Sequence, residues 1–332
     1  MVLRLLLTLL ALFSCVSAHA TEGLLLERLA YWRANAFLCT APDKTTFPSR
    51  PTGDVQQPCD DGDITLFNGL LCASGEQHGC RGVANAIDMQ TGQWYRSPRI
   101  RQSGNDRGGS AFSPDMALGV QLYVIKTNDI ARASKWLTWL HTHVPCTIEL
   151  FGKCWLHGLP RFCTDDVEEK GCTMRPGDAA MLAATVSYLQ KGGGLPPLPD
   201  GRLRGYLGSF SGIGAQLEQL SSIVNKPGYS QHLVAVSILL HRMLGNADPL
   251  LEDAAKRLRA KNPGNAFFSY LAGASRSETL METLARCPNP NIPLKLPLHQ
   301  WQWERENEDK AWEHSCFWDC IFMANLLQGG QN

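Results

Sequence analysis

No C-x-x-C pair occurs anywhere in the chain, although it carries 12 cysteines in 332 residues. A zinc ribbon or a thioredoxin-like centre needs that spacing, so neither is expected. Nor do any two of the 9 histidines stand four apart, which removes the helix-borne H-x-x-x-H pair of a zinc hydrolase. No metal site and no cofactor are expected. An excess of one charge is missing too: 31 basic residues balance 31 acidic ones, with no basic stripe. A nucleic-acid partner is therefore not expected. Alternating β-branched runs are scarce, which argues for helices rather than sheets. The N-terminal apolar run Leu5–Phe13 falls well short of the ~20 residues that cross a bilayer, so no transmembrane segment is expected.

That run has a different use. Arg4 supplies a positive start, Leu5–Phe13 an apolar centre, and Ala18-His19-Ala20 a small-x-small cleavage site. Residues 1–20 therefore read as a signal peptide, and residues 21–332 as one exported domain, periplasmic or secreted. Leu12-Phe13-Ser14-Cys15 offers a competing lipoprotein site, which would leave a lipid anchor at Cys15. Removing Cys15 from the 12 cysteines leaves 11. In an exported chain these read as disulfides, and the odd number leaves at least one thiol free or paired between chains.

Apolar residues recur at helical spacing along most of the chain, and the spacing predicts twelve helices between Leu24 and Leu327. Among them are Leu24–Cys39, Gly82–Met89 and a long helix over Leu203–Val224. Helices beginning near Ile64, Met116, Ala179, Leu233 and Ala266 are apolar on most sides and rich in small residues, so they read as buried. Those near Leu24, Ile130, Leu203, Pro249 and Ser277 carry charge on one face and read as outer helices. The starts Asp61-Gly62-Asp63, Ser113-Pro114-Asp115 and Arg175-Pro176-Gly177-Asp178 recur at the spacing of a helical hairpin with a long loop. The expected fold is all-α: an (α/α)6 toroid of helical hairpins, with long disulfide-bearing loops on one face.

With Gly92-Gln93-Trp94-Tyr95-Arg96-Ser97-Pro98, Ser113-Pro114-Asp115-Met116 and Trp301-Gln302-Trp303-Glu304-Arg305 placed around those helices, the chain resembles the α/α-toroid carbohydrate-active enzymes, exported glycoside hydrolases and polysaccharide lyases. The resemblance covers residues 21–332 as a layout. It implies a glycan-cleaving enzyme and assigns no residue its role.

The residues themselves suggest a pair of carboxyls. Asp115 sits in the first turn of a buried helix, where backbone N–H groups favour its charged form, as a base or nucleophile needs. Glu304 lies between Trp301 and Trp303, and desolvation by aromatic rings suits a proton donor. Trp94, Tyr95, Arg96 and Arg99 share one loop; rings stack on sugars and guanidinium groups grip carboxylates, so an acidic polysaccharide or other glycan fits. With a uronate substrate, Tyr95 or His157 as base and Arg96 as neutraliser would make a lyase instead. The same aromatic loops would serve a non-enzymatic envelope protein that binds glycan or a protein partner. His314 with Cys316 or Cys320 is the remaining, thiol-based arrangement.

Overall fold

Ile64–Ala73 has apolar or small side chains on every side, and every one of its residues except Ala73 is buried. The computed structural model describes residues 22–52, 54–56, 58–104, 111–164, 170–192, 194–294 and 316–329. The leader, the Cys15 site and the Trp301–Trp303 segment lie outside those residues.

The described chain is mostly helical. Helix α1 (residues 22–35) is followed by a hairpin, β1 (Leu38–Thr40) with β2 (Thr46–Pro48). Next come α2 (Ile64–Ala73), α3 (Gln77–Ala84), α4 (Pro98–Ser103), α5 (Pro114–Thr127) and α6 (Ile130–Thr142). A second hairpin, β3 (Cys146–Leu150) with β4 (Lys153–His157), and a short 3-10 turn at Lys170–Cys172 lead into α7 (Pro176–Gly192). The second half is α8 (Arg202–Ser209), α9 (Gly214–Val224), α10 (Tyr229–Met243), α11 (Pro249–Lys261), α12 (Ala266–Leu271), α13 (Arg276–Arg286) and α14 (Phe317–Gly329).

Sequence character decides depth. Helices α2, α5, α10, α12 and α14 are buried over most of their residues, whereas α6, α11 and α13 bury one stripe, as amphipathic helices do. One contiguous set of buried apolar side chains runs from Leu25 to Leu327. Within it α2 packs on α5, α5 on α7 and α10, α10 on α12, α12 on α13, α13 on α14, and α14 back on α2. The closest crossing joins α2 and α5. There a Cβ on Gly69 would overlap the backbone of Gly119, and one on Gly119 would overlap that of Thr65 and Leu66. Only glycine permits that approach.

Several boundaries differ from the sequence reading. The first helix stops at residue 35 because Cys39 is bonded to Cys59 and its strand pairs with β2, Cys39 opposite Phe47. The helix expected over Gly82–Met89 runs from Gln77 to Ala84; Glu76 caps it by accepting from the His78 N–H, and the Cys72–Cys80 bond ties it to α2. The helix expected over Leu203–Val224 is two helices. Gly212, at φ +85°, takes a left-handed conformation that breaks the run. The β3–β4 hairpin lies in the connection between α6 and α7, whereas β1 takes up the end of the expected first helix; each hairpin is braced, at Cys39–Cys59 or Cys146–Cys154.

Three further disulfides join Cys72 to Cys80, Cys163 to Cys172 and Cys287 to Cys320; Cys316 is free and buried. Five disulfides fit a chain exported to an oxidising compartment. Among the described residues no helix is long and apolar enough to cross a membrane.

Candidate functional site

The first turns of α5, α7 and α10 converge on a cavity of about 310 Å³, and a buried segment of α9 closes its side. Its polar lining includes Asp115, Arg175, Asp178, Glu218 and Ser237.

Asp115 is the second residue of α5, after Ser113 and Pro114. The Ser113 hydroxyl donates to its Oδ1, and the Tyr229 hydroxyl, from the start of α10, donates to its Oδ2 at 2.5 Å. Each carboxylate oxygen therefore has its own hydroxyl donor, one from the cap of α5 itself and one from α10. Ser113 holds the N-cap position of this helix. Its side chain makes no cap bond and turns to Asp115 instead.

Asp178 has another task. It reaches back to the backbone N–H of Arg175 at 2.8 Å, closing the start of α7, and its oxygens also accept from the Arg175 guanidinium at 3.0 and 3.3 Å. Helix α7 is held against α5 by Thr185, whose hydroxyl donates to Gln121 at 2.9 Å. Asp178 raises the Arg175 pKa above its ordinary value through that hydrogen bond; burial opposes this, and Asp115 adds charge attraction.

Glu218 is the residue that the sequence reading missed. It lies on the buried face of α9 with Gly214, Ala215 and Ser222, and it is 7% exposed. Burial pushes its carboxyl up to about 8; the nearby charge of Asp178 adds to the rise, and a hydrogen bond with Ser237 opposes it. Its helix is firmly seated. Gly214 sits against the His241 ring, where a Cβ would come within 2.9 Å, and Lys261 Nζ caps the far end by donating to the Ser222 and Ile223 carbonyls at 2.8 Å. The signal for Glu218 was a lone acid on a stripe of small residues spaced 3–4 apart, which reads as a buried face.

The other expected site residues lie elsewhere. Trp94 is buried edge-on to Tyr123, with ring centroids 6.1 Å apart, and Tyr95 is buried beside it with its carbonyl accepting from Thr65 at 2.7 Å. Arg96 donates to the Ala111 and Gly62 carbonyls at 2.9 and 3.0 Å and pairs with Asp63 at 3.5 Å. Arg99 pairs with Asp61. The arginine loop thus pins the approaches to α2 and α5, and none of these four side chains lines the cavity. His157 is exposed on β4, with Nδ1 3.5 Å from the Cys154 sulfur. Glu304, Trp301 and Trp303 lie outside the described residues, as does His314. Cys320 is bonded to Cys287, and burial pushes the Cys316 thiol well above its ordinary value, against a thiolate role for either. Among the described residues no group of three or more His, Cys, Asp or Glu side chains is set to hold a metal ion.

No family model, curated protein or solved structure matches this chain.

Proposed function

We propose that this is an exported glycan-cleaving hydrolase in which Glu218 donates the proton and Asp115 activates the water. One observation carries the reading: a buried carboxyl with its pKa raised to about 8 shares a cavity with a second carboxyl fixed at a helix start. Divergent environments of this kind separate acid from base in glycoside hydrolysis. Glu218 enters protonated at neutral pH and gives its proton to the leaving glycosidic oxygen. Asp115 takes a proton from water as that water attacks the anomeric carbon. Asp178, held by Arg175, fixes the cavity rim.

The lining also bears on the substrate. Three carboxyls face one guanidinium, which is already bonded to Asp178. That balance supports a neutral or amino-bearing sugar better than a uronate, and so favours hydrolysis over a lyase reaction. A toroid suits the same reading. The circuit from α2 through α5, α10, α12, α13 and α14 back to α2 supports it, with the cavity at the helix starts.

The test is hydrolysis of a panel of neutral, amino-sugar and uronate polysaccharides by the wild type, Glu218→Gln and Asp115→Asn. Each variant is expected to lose turnover by roughly 10²- to 10⁴-fold while keeping its fold. Full turnover in either variant, or binding without cleavage by the wild type, would sink the proposal.

A further inference from the structure

The β3–β4 hairpin is almost wholly exposed along both strands. That is unusual for its composition. Phe151 at the tip is fully exposed, Trp155 is 74% exposed, and Ile148, Leu150 and Leu156 are also exposed. The turn is costly as well. Phe151 and Gly152 stand in succession at φ +54° and +72°, and a bulky side chain in the left-handed region costs on the order of 1–2 kcal/mol. The Cys146–Cys154 bond closes the ribbon, so it cannot open and fold its apolar side chains inward.

The arrangement of those side chains restricts what could cover them. Ile148 pairs with Leu156, so these two share a face, and Trp155 is the extra, unpaired residue at a bulge between that pair and Glu149–Cys154, where it stands exposed. Phe151 caps the end. A protein groove covers one face of a ribbon, and strand addition uses one edge. Exposed apolar side chains on the paired face, at the bulge and at the tip fit a medium that surrounds the end of the ribbon. Charge is arranged to match. Lys153 follows the tip, Arg202 donates to the Gly158 carbonyl at the base at 3.4 Å, and the ribbon's one acid is Glu149. The open backbone edges of a two-stranded ribbon forbid deep burial in hydrocarbon, which limits entry to the headgroup region.

We infer that this hairpin is a membrane-surface wedge, inserting Phe151 and Trp155 into the headgroup region of an anionic lipid bilayer. Aromatic side chains favour that layer, and a cation beside them meets its phosphates. The inference is independent of the hydrolase reading.

The test is co-sedimentation of the full chain with vesicles of phosphatidylglycerol and phosphatidylethanolamine. Both proteins compared carry Cys15→Ser, which removes any acyl anchor. The parent is expected to bind, and Phe151→Ser with Trp155→Ser to lower the bound fraction at least about tenfold with an unchanged circular dichroism spectrum. A parent that does not sediment, or a double variant that binds equally, would overturn the inference. So would a parent that ignores vesicles but forms a dimer abolished by the same two substitutions, because the hairpin would then be a protein interface. A double variant that fails to fold is replaced by Phe151→Ser alone, for which the same two outcomes decide.

Discussion

The Tyr229 hydroxyl donates to Asp115 Oδ2 at 2.5 Å and so joins the first turn of α10 to the first turn of α5. The two residues are 114 positions apart in sequence, and their contact aims the carboxylate across the cavity. Tyr229→Phe removes the donor and keeps the ring. A hydrogen bond to a charged group contributes about 1.5–3 kcal/mol, so kcat/KM is expected to fall roughly ten- to hundredfold. Unchanged kinetics on a cleaved glycan would show that Asp115 needs no such aim.

Glu218 makes stability depend on pH in a definite direction. Its folded pKa of about 8 lies above the ordinary 4.5, so between those values the folded state binds the extra proton. The contribution is therefore fully present below about pH 4.5 and is lost as pH rises through about 8. The slope from this one group approaches about 1.4 kcal/mol per pH unit. Urea unfolding of wild type and Glu218→Gln across that range should show the slope in the wild type alone. Parallel profiles would mean that Glu218 is not held protonated.

The sequence made some of this legible. Helices such as Ile64–Ala73 read as buried because they are apolar on most sides, and Asp115 is placed in the first turn of a buried helix by its position after Ser113-Pro114. Glu218 stayed hidden for a geometric reason. Read as part of one helix over Leu203–Val224, its phase is set by residues before Gly212, and the break there resets that phase. The arginine loop, which does not line the cavity, is a different case. Arg96 and Arg99 find Asp63 and Asp61 more than thirty positions away, and no local spacing distinguishes a guanidinium bound to its own chain from one awaiting a ligand.

Gly119→Ala should be among the most damaging single substitutions in the chain. The added Cβ has no room against the α2 backbone at Thr65 and Leu66, and backbone cannot yield as a flexible side chain would. A loss above about 4 kcal/mol is expected, read by denaturant unfolding. Gly205→Ala, with open space around its position in α8, serves as the control and should be tolerated.

The Cys287–Cys320 bond closes a separation of 33 residues and anchors the final buried helix. Replacing both with alanine should lower stability by about 4 kcal/mol on the loop-entropy estimate. A chain without its leader should show a single thiol, Cys316, that reacts with an alkylating reagent only after unfolding. Rapid labelling of the folded chain would contradict its burial.

The order of those bonds along the chain has a consequence for delivery across a membrane. Cys39, Cys72, Cys146 and Cys163 are each bonded to the next cysteine to follow. A polypeptide emerging N-terminus first can seal each of these as the second thiol arrives. Cys287 cannot follow that rule, because Cys316 reaches it before Cys320 does. Sealed strictly by arrival, the last pair would be wrong, and correcting it requires one exchange in which Cys316 leaves as the thiol. Maturation of the C-terminal helix is thus the step that an oxidant alone does not complete and a disulfide isomerase would accelerate.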